Sequence, residues 1–192
     1  MAREDDIRAH LQASVAVFQA VLQQMGPQVA AAVEAVVQAL KGGGKVMLFG
    51  NGGSAAQAQH AAAELTGRYR RERRALAAIA LTTDTSALTA IGNDYGIERV
   101  FERQLEALAR PGDVAVALST SGRSPNVLRA VEAAKRLRIF VIALTGGDGG
   151  ALAGRADLAL VIPSGSTPQI QEAHLALLHV LCDGVERELG GS

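Results

Sequence analysis

Ile7, Leu11, Val15, Phe18, Leu22 and Met25 recur at alternating intervals of three and four, which predicts a helix of about five turns with a narrow apolar stripe. Gly26-Pro27 ends it, and a second helix carries Val29, Val33, Val36, Val37 and Leu40 up to Gly42-Gly43-Gly44. The pattern then changes. Residues 46–49, 77–81, 114–118, 139–144 and 158–162 are apolar runs without alternation, as in strands buried on both faces of a parallel sheet. Helical segments separate them: an Ala-rich one after Gly53, a short one through Leu88 and Ile91, one over residues 97–109, one opened by Ser124-Pro125, and a last one over about residues 169–189. The expected fold is α/β, a doubly wound parallel five-stranded sheet flanked by helices and preceded by two amphipathic N-terminal helices. The reading is one domain over residues 1–192, with the N-terminal helices in 1–41 and the α/β core in 45–189.

Composition changes this picture little. Lys plus Arg and Asp plus Glu are balanced at 19 each, so net charge makes no case for a nucleic-acid partner. The local cluster Arg68, Arg70, Arg71, Arg73 and Arg74 reads as a solvated loop. Cys182 has no partner for a disulfide within the chain, the N-terminus from Met1 to Asp6 is charged, and no apolar run approaches the ~20 residues of a membrane span. The expectation is a cytoplasmic protein with no membrane contact. With only 3% aromatic residues to fill an interior, the two N-terminal helices are expected to pack between subunits.

The chemistry gathers just after strands. Gly50-Asn51-Gly52-Gly53-Ser54 joins the first strand to a helix, the arrangement in which backbone N–H groups and a helix N-terminus meet an anion. It lacks the Lys-Ser/Thr ending of a nucleotide-hydrolysing P-loop. It does fit a loose G-x-G-x-x-A dinucleotide fingerprint, with Asp84 where a ribose-binding acid would sit, but such a match is weak on its own. Ser119-Thr120-Ser121-Gly122-Arg123-Ser124 places four hydroxyls between a buried strand and a helix start, a neutral phosphate cradle in which Ser124 is also the expected cap. His60 and Glu64, four apart, share a helix face, and on the last helix Gln171, Glu172, His174 and His179 compete with His10 for a role. Gln171 lies about 80° round the helix from His179 and Glu172 about 20°, so spacing alone prefers Glu172; His174, about 140° away, belongs to another face.

With these residues assembled, the sequence resembles the sugar isomerase (SIS) domain family. The resemblance rests on Gly50-Asn51-Gly52-Gly53-Ser54, Gln59-His60 with Glu64, Thr66-Gly67-Arg68-Tyr69, Gly92-Asn93-Asp94, Ser119-Thr120-Ser121-Gly122, Ser124, and Ile170-Gln171-Glu172-Ala173-His174 with His179. It implies an aldose-ketose isomerase acting on sedoheptulose 7-phosphate for surface-heptose and lipopolysaccharide synthesis, working as a homotetramer with sites between subunits. Carried over residue by residue, Ser119, Thr120, Ser121 and Ser124 would hold the sugar phosphate, and Asn51, Gly52, Gly53, Ser54, Asn93, Asp94, Glu64 and Gln171 would line the rest of the substrate pocket. Glu64 and His179 would be the catalytic pair. Zinc, where members bind it, would be held by His60, Glu64, Gln171 and His179, so the family prefers Gln171 where spacing prefers Glu172. Arg123 departs from the usual asparagine, and Pro168 stands where some members have an acid.

These residue types suit the reaction. Interconverting ketose and aldose moves one proton between carbons and another between oxygens, which asks for a carboxylate base and a histidine that exchanges protons near neutral pH. The competing expectation is a binding protein, since non-catalytic relatives associate with the replication initiator or sense sugar phosphates. Those relatives lack the Glu or the His that this chain has.

Overall fold

The structure, a computed structural model, describes residues 3–190, so Met1 and Ala2 of the charged N-terminal stretch lie outside the described residues. Five parallel strands form one sheet: β1 (Val46–Gly50), β2 (Ala78–Ala80), β3 (Val114–Leu118), β4 (Phe140–Gly146) and β5 (Leu158–Ile162), in the order β2-β1-β3-β4-β5. This is a doubly wound order in which direction reverses between β1 and β3, and ligands bind at the carboxyl ends of the two strands flanking such a switch point. Gly50 pairs with Leu118 there. The glycine loop and the serine loop therefore emerge side by side, although 65 residues of chain separate Ser54 from Ser119.

Both faces of the sheet are covered, which is why the strand sequences do not alternate between apolar and polar. Val46, Leu48, Val114, Val116, Leu118, Ile142 and Leu144 face one layer, α2 (Gly26–Lys41), α3 (Gly53–Thr66) and α8 (Thr167–Leu189). Met47, Phe49, Ala115, Ala117, Val141 and Ala143 face the other, α5 (Val100–Leu108) and α6 (Pro125–Arg136). Small residues on that second face leave room for Phe49 and Phe101, whose rings meet at 5.5 Å. At the amino ends of the strands, Asp113 accepts from Lys45 N at 2.9 Å, Lys45 Nζ at 2.6 Å and Arg110 N at 2.7 Å. That buried carboxylate ties the starts of β1 and β3 together.

α1 (Glu4–Gln24) lies outside the two layers. Its stripe is exposed, with Ile7 at 53%, Leu11 at 59% and Leu22 at 83%. The helix break expected at Gly26-Pro27 falls at Met25, and Pro27 sits in the first turn of α2, where its missing N–H costs nothing.

Other boundaries shift for local reasons. α4 (Thr85–Tyr95) runs through Gly92-Asn93-Asp94 and stops at Gly96, whose φ of 91° an L side chain rarely adopts. The expected helix over 97–109 accordingly begins as a single 3-10 turn, Ile97–Arg99, before α5. β4 continues into Thr145 and Gly146 because they pair with Val161 and Ile162, so the loop expected from Thr145 starts later and contains the short helix α7 (Gly150–Ala153).

Candidate active site

The Ala-rich sequence of α3 allows close packing on α8, and the two helices run alongside one another over the β1 end of the sheet. Gly53 meets the Gln171 amide, since a Cβ there would lie 2.6 Å from its Nε2, and Gln57 Nε2 donates to the Gln171 carbonyl at 2.6 Å. Further along, His60 Nε2 and His179 Nε2 are 2.8 Å apart, and Glu64 Oε1 is 3.4 Å from His60 Nε2. When both rings are neutral, one nitrogen donates and the other accepts, so the pair shares a single proton. Tyr69 stacks on the outer side of His179, centroids 5.6 Å apart. Two imidazoles and a carboxylate thus converge between the two helices, as the resemblance implied, with the Tyr69 ring beside them.

The serine loop forms the second half of the site. Ser119 continues the ladder through its N–H to Leu144 O at 3.0 Å, and Gly122 N donates to Ser119 O at 3.0 Å, closing a tight turn. Gly122 is obligatory here, with φ of 62° and a position where a Cβ would come within 2.0 Å of Gly149 O. Among the described residues, the N–H groups of Thr120, Ser121 and Ser124 bond to no protein acceptor; Ser124 is the N-cap of α6, and Thr120 and Ser121 lie in the loop that leads into it. Together with the helix dipole they form a neutral anion cradle. Ser124 does not cap α6 through its side chain, as expected from sequence; its hydroxyl meets Ser119 Oγ at 3.0 Å instead. Arg123 donates from Nη1 to Ser121 O at 3.0 Å and pairs with Asp148, bonding both carboxylate oxygens at 3.1 and 2.6 Å; that guanidinium holds the Asp148 carboxyl at about 2.

Asn51 joins the two loops. Its amide exchanges hydrogen bonds with that of Asn126 on α6, at 2.9 and 2.8 Å, and Asn126 is buried. Sequence reading missed Asn126, although an amide just after a helix-opening proline is a recognisable position for bridging to a neighbouring loop. Ser54 is buried behind the glycine loop. Asn93 and Asp94 lie apart on α4, exposed and bonded to one another at 2.8 Å; no hydrogen bond joins them to the serine loop or the histidine pair among the described residues.

The competing residues sort by their partners. Glu172 faces His10 on α1 at 3.5 Å, so the carboxylate that helical spacing preferred is directed elsewhere. His174 is fully buried with Nε2 3.1 Å from Thr145 O, and burial pushes it down to about 4, so it is neutral. Asp84, weighed as a ribose-binding acid, caps α4 by accepting from Ala87 N at 2.9 Å. The arginine cluster is not uniformly solvated: Arg73 has a side chain 1% exposed, paired with Glu186.

The donor chemistry at His60, Glu64 and His179 suits zinc, which takes imidazole nitrogen and carboxylate oxygen in a tetrahedron with ligand distances near 2.0–2.2 Å. The edges of such a tetrahedron are about 3.3–3.6 Å; the 3.4 Å between Glu64 and His60 matches them, whereas the two imidazole nitrogens, 2.8 Å apart, would have to separate to admit an ion. Among the described residues no group of three His, Cys, Asp or Glu closes fully around an ion, and the Gln171 amide lies against Gly53.

A family model described as SIS domain matches residues 9–146. The chain belongs to the SIS domain family. Within that family it is 53% identical over 187 residues to the phosphoheptose isomerase of Helicobacter hepaticus, covering 97% of this chain and 93% of that protein. The solved structure of phosphoheptose isomerase GmhA from Neisseria gonorrhoeae superposes with a TM-score of 0.91 at 47% identity, covering 96% of this chain and 98% of that one. A phosphoheptose isomerase from Francisella tularensis superposes at 0.94 and 40% identity, covering 97% and 100%. The doubly wound sheet anticipated from the apolar runs, and the SIS domain that the resemblance implied, are the fold observed.

Proposed function

We propose that the chain is an aldose-ketose isomerase that converts sedoheptulose 7-phosphate to D-glycero-D-manno-heptose 7-phosphate through an enediol, in surface-heptose and lipopolysaccharide synthesis. The observation that carries this reading is the convergence of Glu64, His60 and His179 between α3 and α8, in a chain that also carries a neutral anion cradle in its serine loop. The high identity to phosphoheptose isomerases over nearly the whole chain supports the substrate.

In this reading, the serine loop receives the phosphate, so the reacting carbons are anchored from a distance. Glu64 takes the proton from C1 and returns it to C2. His179 moves the second proton, which leaves the C1 hydroxyl as it becomes a carbonyl and arrives at the C2 oxygen as it becomes a hydroxyl. Carbon and oxygen each exchange one proton, and no electron acceptor is required. His60, Glu64 and His179, with Gln171 brought in from Gly53, would hold zinc. When bound it supplies polarisation of the two substrate oxygens.

A homotetramer is part of the same proposal. The apolar groove along Ile7, Leu11 and Val15, and the second one where Val21, Leu22 and Val33 meet Leu177 and Val180, lie away from the polar site and suit helix packing between copies. Asn93 and Asp94, remote within one chain, would then serve a site completed by another. No helix among the described residues is long and apolar enough to cross a membrane, and a cytoplasmic location is proposed with the activity.

The test is incubation with sedoheptulose 7-phosphate and detection of the aldose product. Product formation is the expected result. No product at high protein concentration, together with tight binding to a replication initiator, would favour the non-catalytic reading.

A further inference from the structure

Glu186 and Arg73 form an ion pair in which both side chains are only 1% exposed, with Arg73 Nε 3.4 Å from Glu186 Oε1. Replacing such a pair by apolar residues is often neutral or stabilising, so burial alone gives no reason for these two charges. Their other contacts do. Glu186 follows His179 by seven residues on α8, about 20° from alignment, and so shares its face. Its carboxylate accepts the consecutive N–H groups of Tyr69, Arg70 and Arg71 at 3.0, 2.8 and 2.9 Å. This fastens the segment leaving α3 across α8. From that anchor point the Tyr69 ring stacks on His179, with an interplanar angle of 30°.

Arg73 works toward the other helix. Its Nη2 donates to the Glu64 carbonyl at 2.7 Å, and its Nη1 donates to the carbonyls of Gly67 and Arg74 at 3.0 Å each. The carbonyl groups at a helix end have no partner within the helix, and a guanidinium can satisfy several at once. One buried ion pair therefore fixes the last turn of α3, which bears Glu64, and the aromatic wall against His179.

We propose that Glu186 and Arg73, acting through Tyr69, are positioning residues that hold the His179 imidazole and the Glu64 turn in the mutual geometry needed for proton transfer. This rests on the assignment of those two side chains to the reaction. Tyr69 is the part that can be altered without removing a buried charge.

The test compares Tyr69→Phe, Tyr69→Ala, Glu186→Gln and the Tyr69→Ala/Glu186→Gln double variant in full-length protein, by steady-state kinetics and by NMR of histidine-labelled protein. Tyr69→Ala should lower kcat roughly tenfold with KM within about twofold, because a misdirected imidazole affects the transition state more than binding. Tyr69→Phe should restore kcat, and the double variant should lose about as much as the worse single one. The His179 ring signals should move in Tyr69→Ala and Glu186→Gln and stay in place in Tyr69→Phe. A raised KM with parent kcat in Tyr69→Ala would overturn the proposal, as would a Tyr69→Phe variant as impaired as Tyr69→Ala. If Glu186→Gln does not fold, the two Tyr69 variants decide alone. If the parent protein does not isomerise the substrate, the spectra decide: displaced His179 signals in Tyr69→Ala support the positioning role, and unmoved signals overturn it.

Discussion

At the α3–α8 end of the proposed site, His60 and His179 lie 2.8 Å apart with Glu64 3.4 Å from His60, backed by a buried ion pair; at the β3–α6 end, Ser119, Ser121 and Ser124 offer hydroxyls, and Thr120, Ser121 and Ser124 offer N–H groups without a protein acceptor among the described residues, with Arg123 paired to Asp148. The difference follows from where charge originates. A phosphate brings its own charge, so oriented neutral dipoles hold it, and a cation there would add salt-sensitive attraction without steering the reaction. Proton transfer between carbons starts from a neutral sugar, so the protein must supply the base and the acid. One end is built to react and the other to bind, and substitutions in the two should give different kinetic signatures.

The largest separation is expected from Glu64→Gln. The amide keeps the shape but cannot accept a carbon-bound proton, so kcat should fall roughly a hundredfold or more while KM stays within about tenfold. Parallel loss of affinity and turnover would mean that the two ends are not independent.

His174 links the ends, because it pins α8 to Thr145 at the end of β4, the strand beside β3. Its pKa is about 4 in the fold against 6.5 for the free side chain, so the unfolded chain binds the extra proton first. Its contribution is full above pH 6.5 and is lost as pH falls toward 4, amounting to about 2 kcal/mol between pH 7.5 and pH 5. Urea melts at both pH values should show that slope, and His174→Gln should flatten it. An unchanged slope would assign acid sensitivity to other groups.

Metal removal should affect only the reacting end. Chelation is expected to lower kcat about tenfold and zinc to restore it. Full activity in protein shown by elemental analysis to be metal-free would remove the metal role and leave Glu64 and His179 intact. At the binding end, Ser119→Ala with Ser121→Ala should raise KM about tenfold and leave kcat within about threefold, because these groups act on ground state and transition state alike.

The smallest effect is expected from Asp148→Asn. An exposed ion pair contributes little, so KM should change by no more than about threefold. A tenfold fall in KM would show that the released Arg123 reaches the phosphate, and would make the binding end charged.

Much of this was legible before the structure because it is local. Strands over 114–118 and 158–162 fall where their apolar runs do, and both loops follow directly after their strands; only the strand order of the fold sets those loops side by side. What sequence reading missed is carried by contacts between distant segments. Arg73 looked solvated because its partner, Glu186, lies 113 residues away on another helix. Glu172 looked better aligned than Gln171 because helical angle says nothing about α1, which places His10 beside it. Ser124 looked like a cap because the N-cap position predicts a hydroxyl there, whereas Ser119 is the nearer partner. The edge strand is Ala78–Ala80, although Ala77 O and Leu81 N still bond to Val46 and Leu48 of β1 on either side of it.

Proton transfer by Glu64 is the central claim, and exchange of the substrate's C1 hydrogen with solvent deuterium reports on it without waiting for product. In the parent protein, deuterium should enter at C1 as the enediol forms and collapses. In Glu64→Gln that exchange should fall in parallel with turnover, roughly a hundredfold or more, while substrate still binds. Near-parent exchange in Glu64→Gln would contradict the assignment and pass the role of base to His179.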